Sequence, residues 1–129
     1  MAKYLGIDYG ARRIGLATAD GEAKLATPLA TVSAPDLVPA LKQHGPFEAV
    51  VVGLPRNLDG SDTPQTLAVR RFADDVLWRK LHIEAVFQDE AATSAVAEER
   101  LKASGKPFKP EQIDSEAAAI ILQDYLDAL

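Results

Sequence analysis

The chain opens on short runs of alternating or clustered apolar residues. Residues 3–9 (Lys-Tyr-Leu-Gly-Ile-Asp-Tyr) read as a strand, Gly10-Ala11-Arg12-Arg13 as a tight turn, and residues 14–19 as an antiparallel partner. Asp20-Gly21 signals another turn, and residues 24–32 supply a third strand in which Pro28 favours an edge or a bulge. A short helix is expected over 36–44. The continuous apolar run of residues 48–53 (Glu-Ala-Val-Val-Val-Gly) suits a strand buried on both faces. Thr63-Pro64 pairs an N-cap with a first-turn proline, and Val69, Phe72, Ala73 and Val76 follow at helical spacing, so a helix is predicted over 64–80. Residues 83–87 read as a strand and 94–103 as a helix. Ala118, Ile121, Leu122, Tyr125 and Leu129 form one apolar stripe on a C-terminal helix beginning near Pro110. The order βββαβαβαα, antiparallel first and alternating later, predicts an α/β fold: a mixed five-stranded sheet with helices on both faces.

Composition narrows the function. The 129 residues make one domain, with 47% hydrophobic and 26% charged residues. With no Cys and two His, zinc fingers, cysteine nucleophiles and thiol redox chemistry are excluded. Fourteen Lys+Arg against nineteen Asp+Glu give a net charge of −5, so any grip on nucleic acid must come from a local basic patch. No apolar run is long enough for a membrane span, and the N-terminus has no apolar signal core, so a soluble, cytoplasmic protein is expected.

Three carboxylates break the pattern. Asp8 lies inside an apolar strand, on the face shared by Tyr4 and Gly6. Asp114 heads the core-facing stripe of the C-terminal helix, and Glu90 follows the strand 83–87 where the chain leaves the sheet. A buried, unpaired carboxylate costs several kcal/mol. Singly, each acid has an ordinary explanation: Asp8 capping its own turn, Asp114 an N-cap, Glu90 solvated. Jointly, acids at strand ends and a helix start point to a shared site for a hard cation such as Mg²⁺ or Mn²⁺. Glu111, three residues before Asp114 on the same helix face, is either a fourth acid or a residue complementing the helix dipole. His44 and His82 read as solvated, Trp78 and Phe72 as helix packing, and Arg70-Arg71 as part of a solvated face.

The motifs Gly6-Ile7-Asp8-Tyr9-Gly10, Arg13-Ile14-Gly15-Leu16-Ala17, Val51-Val52-Gly53-Leu54-Pro55, Asp59-Gly60-Ser61, Asp89-Glu90 and Asp114-Ser115-Glu116-Ala117-Ala118 occur in that order. Together they resemble the bacterial YqgF family, also called Holliday junction resolvases or pre-16S ribosomal RNA nucleases, over nearly the whole chain. The resemblance implies a ribonuclease H-like fold and a nuclease. Its acids carry over to Asp8, Glu90 and Asp114, as catalytic residues and ligands of two Mg²⁺ or Mn²⁺ ions. Two departures stand out. Ala91-Ala92-Thr93-Ser94 lacks an arginine that the family usually carries, and the stretch Lys106-Pro107-Phe108-Lys109-Pro110 is shorter and less basic than its counterpart.

The substrate-binding candidates are Arg12, Arg13, Arg56, Lys106 and Lys109. Gly53 is expected to let the backbone turn at a strand end, and the N-terminus of the helix at 64 to offer N–H groups to a phosphate. The expected partner is nucleic acid: structured or single-stranded RNA, with a DNA junction as the alternative. Association with a ribosome precursor is compatible with this, and the protein is expected as a monomer or weak dimer. Two other classes compete. Asp8-Tyr9-Gly10 with Gly15 resembles a phosphate loop of actin-like ATPases and sugar kinases, but those need two such domains. A non-catalytic RNA- or ribosome-associated module fits the acidic total but not the three acids.

Overall fold

The computed structural model describes residues 2–90 and 93–129, so the missing arginine at Ala91 lies outside the described residues. The strands are β1 (Lys3–Tyr9), β2 (Ile14–Asp20), β3 (Thr27–Val32), β4 (Ala49–Pro55) and β5 (Ala85–Glu90). The helices are α1 (Ala34–His44), α2 (Pro64–Phe72), α3 (Thr93–Ala103) and α4 (Pro110–Asp127). One mixed sheet takes the order β3-β2-β1-β4-β5. The β1–β2–β3 half is antiparallel, and β4 joins β1, and β5 joins β4, in parallel.

The alternation in β1 sorts two cores. Leu5 and Ile7 point to one face, where they meet Val50 and Val52 of β4, Leu37 and Leu41 of α1, and Val69 and Phe72 of α2. The opposite face takes Tyr4, Ala17, Ala19 and Val51 beneath Ala118, Ile121, Leu122 and Leu126 of α4. Helices thus cover both faces, and α3 packs outside on α4 through Ala97, Ala117 and Ile120. Val50, Val51 and Val52 are all buried because β4 is covered on both sides, which is why its run is continuously apolar. A slip of one residue in β1 would put Asp8 into the α1–α2 core and expel Leu5 and Ile7, whose burial contributes roughly 1.5–3 kcal/mol each.

Small side chains let α4 lie close to the sheet. A Cβ at Gly6 would stand 2.7 Å from the Ala118 carbonyl oxygen and 2.7 Å from Leu122 Cβ. A Cβ at Gly15 would collide with the backbone of Asp114.

Three elements depart from the sequence pattern. The third strand begins at Thr27 rather than residue 24, because Lys24 adopts φ 51° and the Ala26 N–H donates to Gln123 Oε1 (2.9 Å) instead of the sheet. Pro28 lies on that edge strand, beside a register shift between Leu16 and Ala17. The helix predicted over 64–80 is α-helical only to Phe72 and π-helical over Ala73–Trp78, where the Arg79 N–H donates to the Asp74 carbonyl (3.0 Å). The fifth strand spans 85–90 rather than 83–87, because Gln88, Asp89 and Glu90 pair with Gly53, Leu54 and Pro55 despite their polar side chains.

Candidate active site

Asp8 and Glu90 are carried to the same end of the sheet by parallel neighbours. Asp8 lies one residue beyond the Ile7–Val52 pair, and Glu90 pairs with Pro55 at the end of β4. Strand parity turns Asp8, Gly53 and Glu90 toward α4. Gly53 is therefore not a turn residue. It sits inside β4, and the space its side chain would fill holds the Glu90 carboxylate and Ile121 Cδ1, the latter 2.5 Å from where a Cβ would stand. Asp114 comes from the opposite direction. Its backbone rests on Gly15, which pairs with Asp8 across β1–β2. A glycine on each flanking strand thus opens the room that the two outer acids occupy beside Asp8.

Electrostatics register the crowding. Burial, then the neighbouring Asp114 charge, pushes the Asp8 carboxyl up from 3.8 to about 6. Burial, then Asp8, pushes Glu90 up from 4.5 to about 7. Burial also raises Asp114, against the pull of Arg13, while Glu111 adds a small push upward. Arg13 Nε lies 2.8 Å from Asp114 Oδ2 in an ion pair, a partnership the sequence pattern did not show. Glu90 Oε2 is buried without a hydrogen-bond partner, and Asp114 Oδ2 has no partner beyond the guanidinium contact.

Buried carboxylate oxygens without donors suit a hard divalent cation, and the donor set here is all oxygen. Among the described residues no three acids stand close enough to share a single ion, Asp114 being tied to Arg13. The fit is thus one of chemistry and placement. Glu111 lies on the exposed first turn of α4, where its carbonyl accepts from Thr31 Oγ1 (2.5 Å).

Two clefts flank the acids. One, about 410 Å³, is lined by Gly10, Arg12, Arg13 and Asp114. The other, about 240 Å³, is lined by Arg56, Asn57, Leu58, Gly60, Asp89 and Glu90. Arg56 is held between Asp62 and Asp89, each 3.7 Å away, so part of its charge is already answered. Lys106 and Lys109 are exposed before and at the start of α4, and neither is ion-paired to an acid among the described residues. The N-terminus of α2 has little to offer a phosphate. Pro64 has no N–H, the Thr66 N–H donates to Thr63 Oγ1 (3.2 Å) and the Leu67 N–H to the Thr63 carbonyl (3.2 Å). Phe72 stacks on Tyr9 with ring centroids 4.3 Å apart, as expected for packing, whereas Trp78 is half exposed and meets His82 edge-on.

Residues 2–128 match the model of a family described as "RuvX: Holliday junction resolvase". The chain belongs to the RuvX family. Its members are nucleases, enzymes that hydrolyse phosphodiester bonds of nucleic acid. Curated relatives named "Putative pre-16S rRNA nuclease" include one from Chloroflexus aggregans, 46% identical over 96% of this chain and 92% of the relative. Another, from Colwellia psychrerythraea, is 38% identical over 95% of this chain and 88% of its own length. Among solved structures, Thermus thermophilus RuvC in complex with Holliday junction substrate aligns with a TM-score of 0.59 at 18% identity, covering 99% of this chain and 95% of that chain. A second Thermus thermophilus RuvC structure gives a TM-score of 0.57 at 16% identity, covering 98% of this chain and 95% of that chain. The RuvX chain therefore has the ribonuclease H-like fold that its motif order implied. No helix among the described residues is long and apolar enough to cross a membrane.

Proposed function

We propose that this RuvX-family chain trims the 5′ end of the 16S ribosomal RNA precursor by metal-assisted hydrolysis, with Asp8, Glu90 and Asp114 as the metal-holding acids. The observation that carries the proposal is the gathering of these half-buried acids at one end of the sheet, with Glu90 Oε2 lacking a hydrogen-bond partner and all three carboxyl pKa values raised. Asp8, from an inner strand, would hold Mg²⁺ or Mn²⁺ together with Glu90 and Asp114. Such ions, when bound, activate water and neutralise charge on the phosphate and leaving oxygen.

The remaining work belongs to the chain. Rigid strands hold Asp8 and Glu90 in place, and α4 brings Asp114 against Gly15. Arg12 and Arg13 border the cleft on one side and Arg56 the cleft on the other, so a phosphate backbone crossing the acids meets positive charge both before and after them. Lys106 and Lys109 are placed to reach only a longer substrate. A four-way DNA junction is the second reading, favoured by the family description and the likeness to RuvC. The relatives' name favours precursor ribosomal RNA, and with it a cytoplasmic task.

The test is incubation with structured RNA, single-stranded RNA and four-way DNA junctions, in Mg²⁺, in Mn²⁺ and with excess chelator. Metal-dependent cutting of the RNA, abolished by Asp8→Asn in a folded protein, is the expected result. Cleavage that survives excess chelator would overturn the metal-assisted mechanism.

A further inference from the structure

The loop from β4 to α2 carries an apolar side chain that packs on nothing. Leu58 is 99% exposed, against 65% for Leu25, the next most exposed large hydrophobic residue among those described. A lone exposed leucine on a mobile loop would mean little. This loop is tied down. The Asn57 N–H donates to the Ser61 carbonyl (3.0 Å), and the Gly60 N–H to the Asn57 carbonyl (2.8 Å). Asn57 Nδ2 donates to Ser61 Oγ (2.9 Å), and the Ser61 N–H to Asp59 Oδ1 (2.9 Å). Arg56 and Asp62 close the base of the turn in an antiparallel bridge. Gly60 reverses the chain at φ 84°, a conformation that a side chain would strain. The turn therefore presents Leu58 to water.

Its position gives that exposure a use. The turn follows the end of β4, the same end of the sheet as the acids, and Leu58 lines the 240 Å³ cleft whose other residues include Glu90 and Arg56. We infer that Leu58 is a wedge: it enters the base stack of a structured nucleic acid beside the scissile phosphate, and the cleft next to Glu90 receives the displaced nucleobase. Apolar wedges of this kind unstack a base step, and the side chain gains burial only when a stack is present. The wedge confines its advantage to substrates that are stacked at the cutting point. An already unstacked strand has no use for it. This inference rests on the nuclease reading above.

The experiment compares wild type, Leu58→Ala and Leu58→Phe on two RNAs with the same cleavage sequence, one in a stacked hairpin stem and one in an unstructured strand. A 2-aminopurine next to the cut reports unstacking in the Asp8→Asn background. Leu58→Ala is expected to keep the wild-type melting temperature, since the side chain touches nothing. It should lose about tenfold or more in kcat/KM on the stem and stay within about twofold on the unstructured strand. Leu58→Phe should restore the stem rate. The fluorescence rise on binding the stem should be lost with Ala and kept with Phe. Rates on both RNAs unchanged from wild type for Leu58→Ala, or an equal loss on both, would overturn the wedge. So would a change in oligomeric state on Leu58→Ala, which would make the residue a contact between copies of the chain. If wild type cuts neither RNA, the nuclease reading fails first and the wedge falls with it.

Discussion

Ionising Asp8 is harder in the folded protein than in the unfolded chain, and that difference is measurable as stability. Its carboxyl moves from 3.8 to about 6 on folding, and Glu90 moves from 4.5 to about 7. Below the unfolded values both states hold the protons. As pH rises toward 7, the unfolded chain releases them first, so the metal-free fold loses stability through this window. The expected outcome is a melting temperature in chelator that falls between about pH 5 and pH 7.5. Asp8→Asn should remove about half of the fall, leaving the part that burial imposes on Glu90, and stabilise the metal-free protein at pH 7.5 by about 1–3 kcal/mol. Thermal melts of both proteins at the two pH values decide it. A wild-type melting temperature that rises over this range would show that the acids are not buried together. Asp8 was legible in the sequence because a charge inside an apolar strand violates the pattern and demands an explanation. The Arg13–Asp114 pair was not, because it joins a turn to a distant helix and no local spacing encodes it.

At the scale of the elements, the glycines decide how closely the acids approach. Gly53→Ala would drive a methyl into the Glu90 carboxylate and Ile121, both side chains that can give way. Gly15→Ala would drive one into the backbone of Asp114, which can move only if the start of α4 moves. Gly15→Ala is therefore expected to cost more stability, at the upper end of the roughly 1–3 kcal/mol typical of overpacking, with Gly53→Ala at the lower end. Both should lower cleavage, Gly53→Ala without a large fall in melting temperature. Denaturant unfolding beside a cleavage assay checks the order, and a Gly53→Ala protein with full activity would remove Glu90 from the site. The strands and helices were readable where side chains carry the signal, as in the valines of β4 and the stripe of α4. They were not where backbone pairing carries it. Gln88, Asp89 and Glu90 break the apolar pattern, yet each pairs in register with a residue of β4, so Glu90 belongs to the strand rather than to the exit from it. The change from α to π winding after Phe72 has no signature in apolar spacing either, since Ala73 and Leu77 stay buried through it.

For the molecule as a whole, the question is how a chain of net charge −5 holds a polyanion. Few cations stand where the proposed substrate would lie. Arg12, Arg13 and Arg56 border the two clefts at the acid end of the sheet, while Arg79 pairs with Asp74 and Asp75 and Lys102 with Glu98. Even the arginines at the clefts are partly engaged, Arg13 by Asp114 and Arg56 by Asp62 and Asp89. Few phosphates can then be neutralised at once. Each contact on a single strand contributes about −0.7 to the slope of log affinity against log salt, so about three contacts give a slope near −2. Binding of a single-stranded RNA, measured for the Asp8→Asn protein across a salt series, should show that shallow dependence. Arg12→Ala should reduce its magnitude by roughly the share of one contact. Lys106→Ala should leave the slope nearly unchanged for a short RNA and reduce it only for a longer one. A slope steeper than about −4, beyond what all five candidate cations could supply at that rate, would require a basic surface larger than one copy of the chain presents. It would make an assembly of several copies the binding unit.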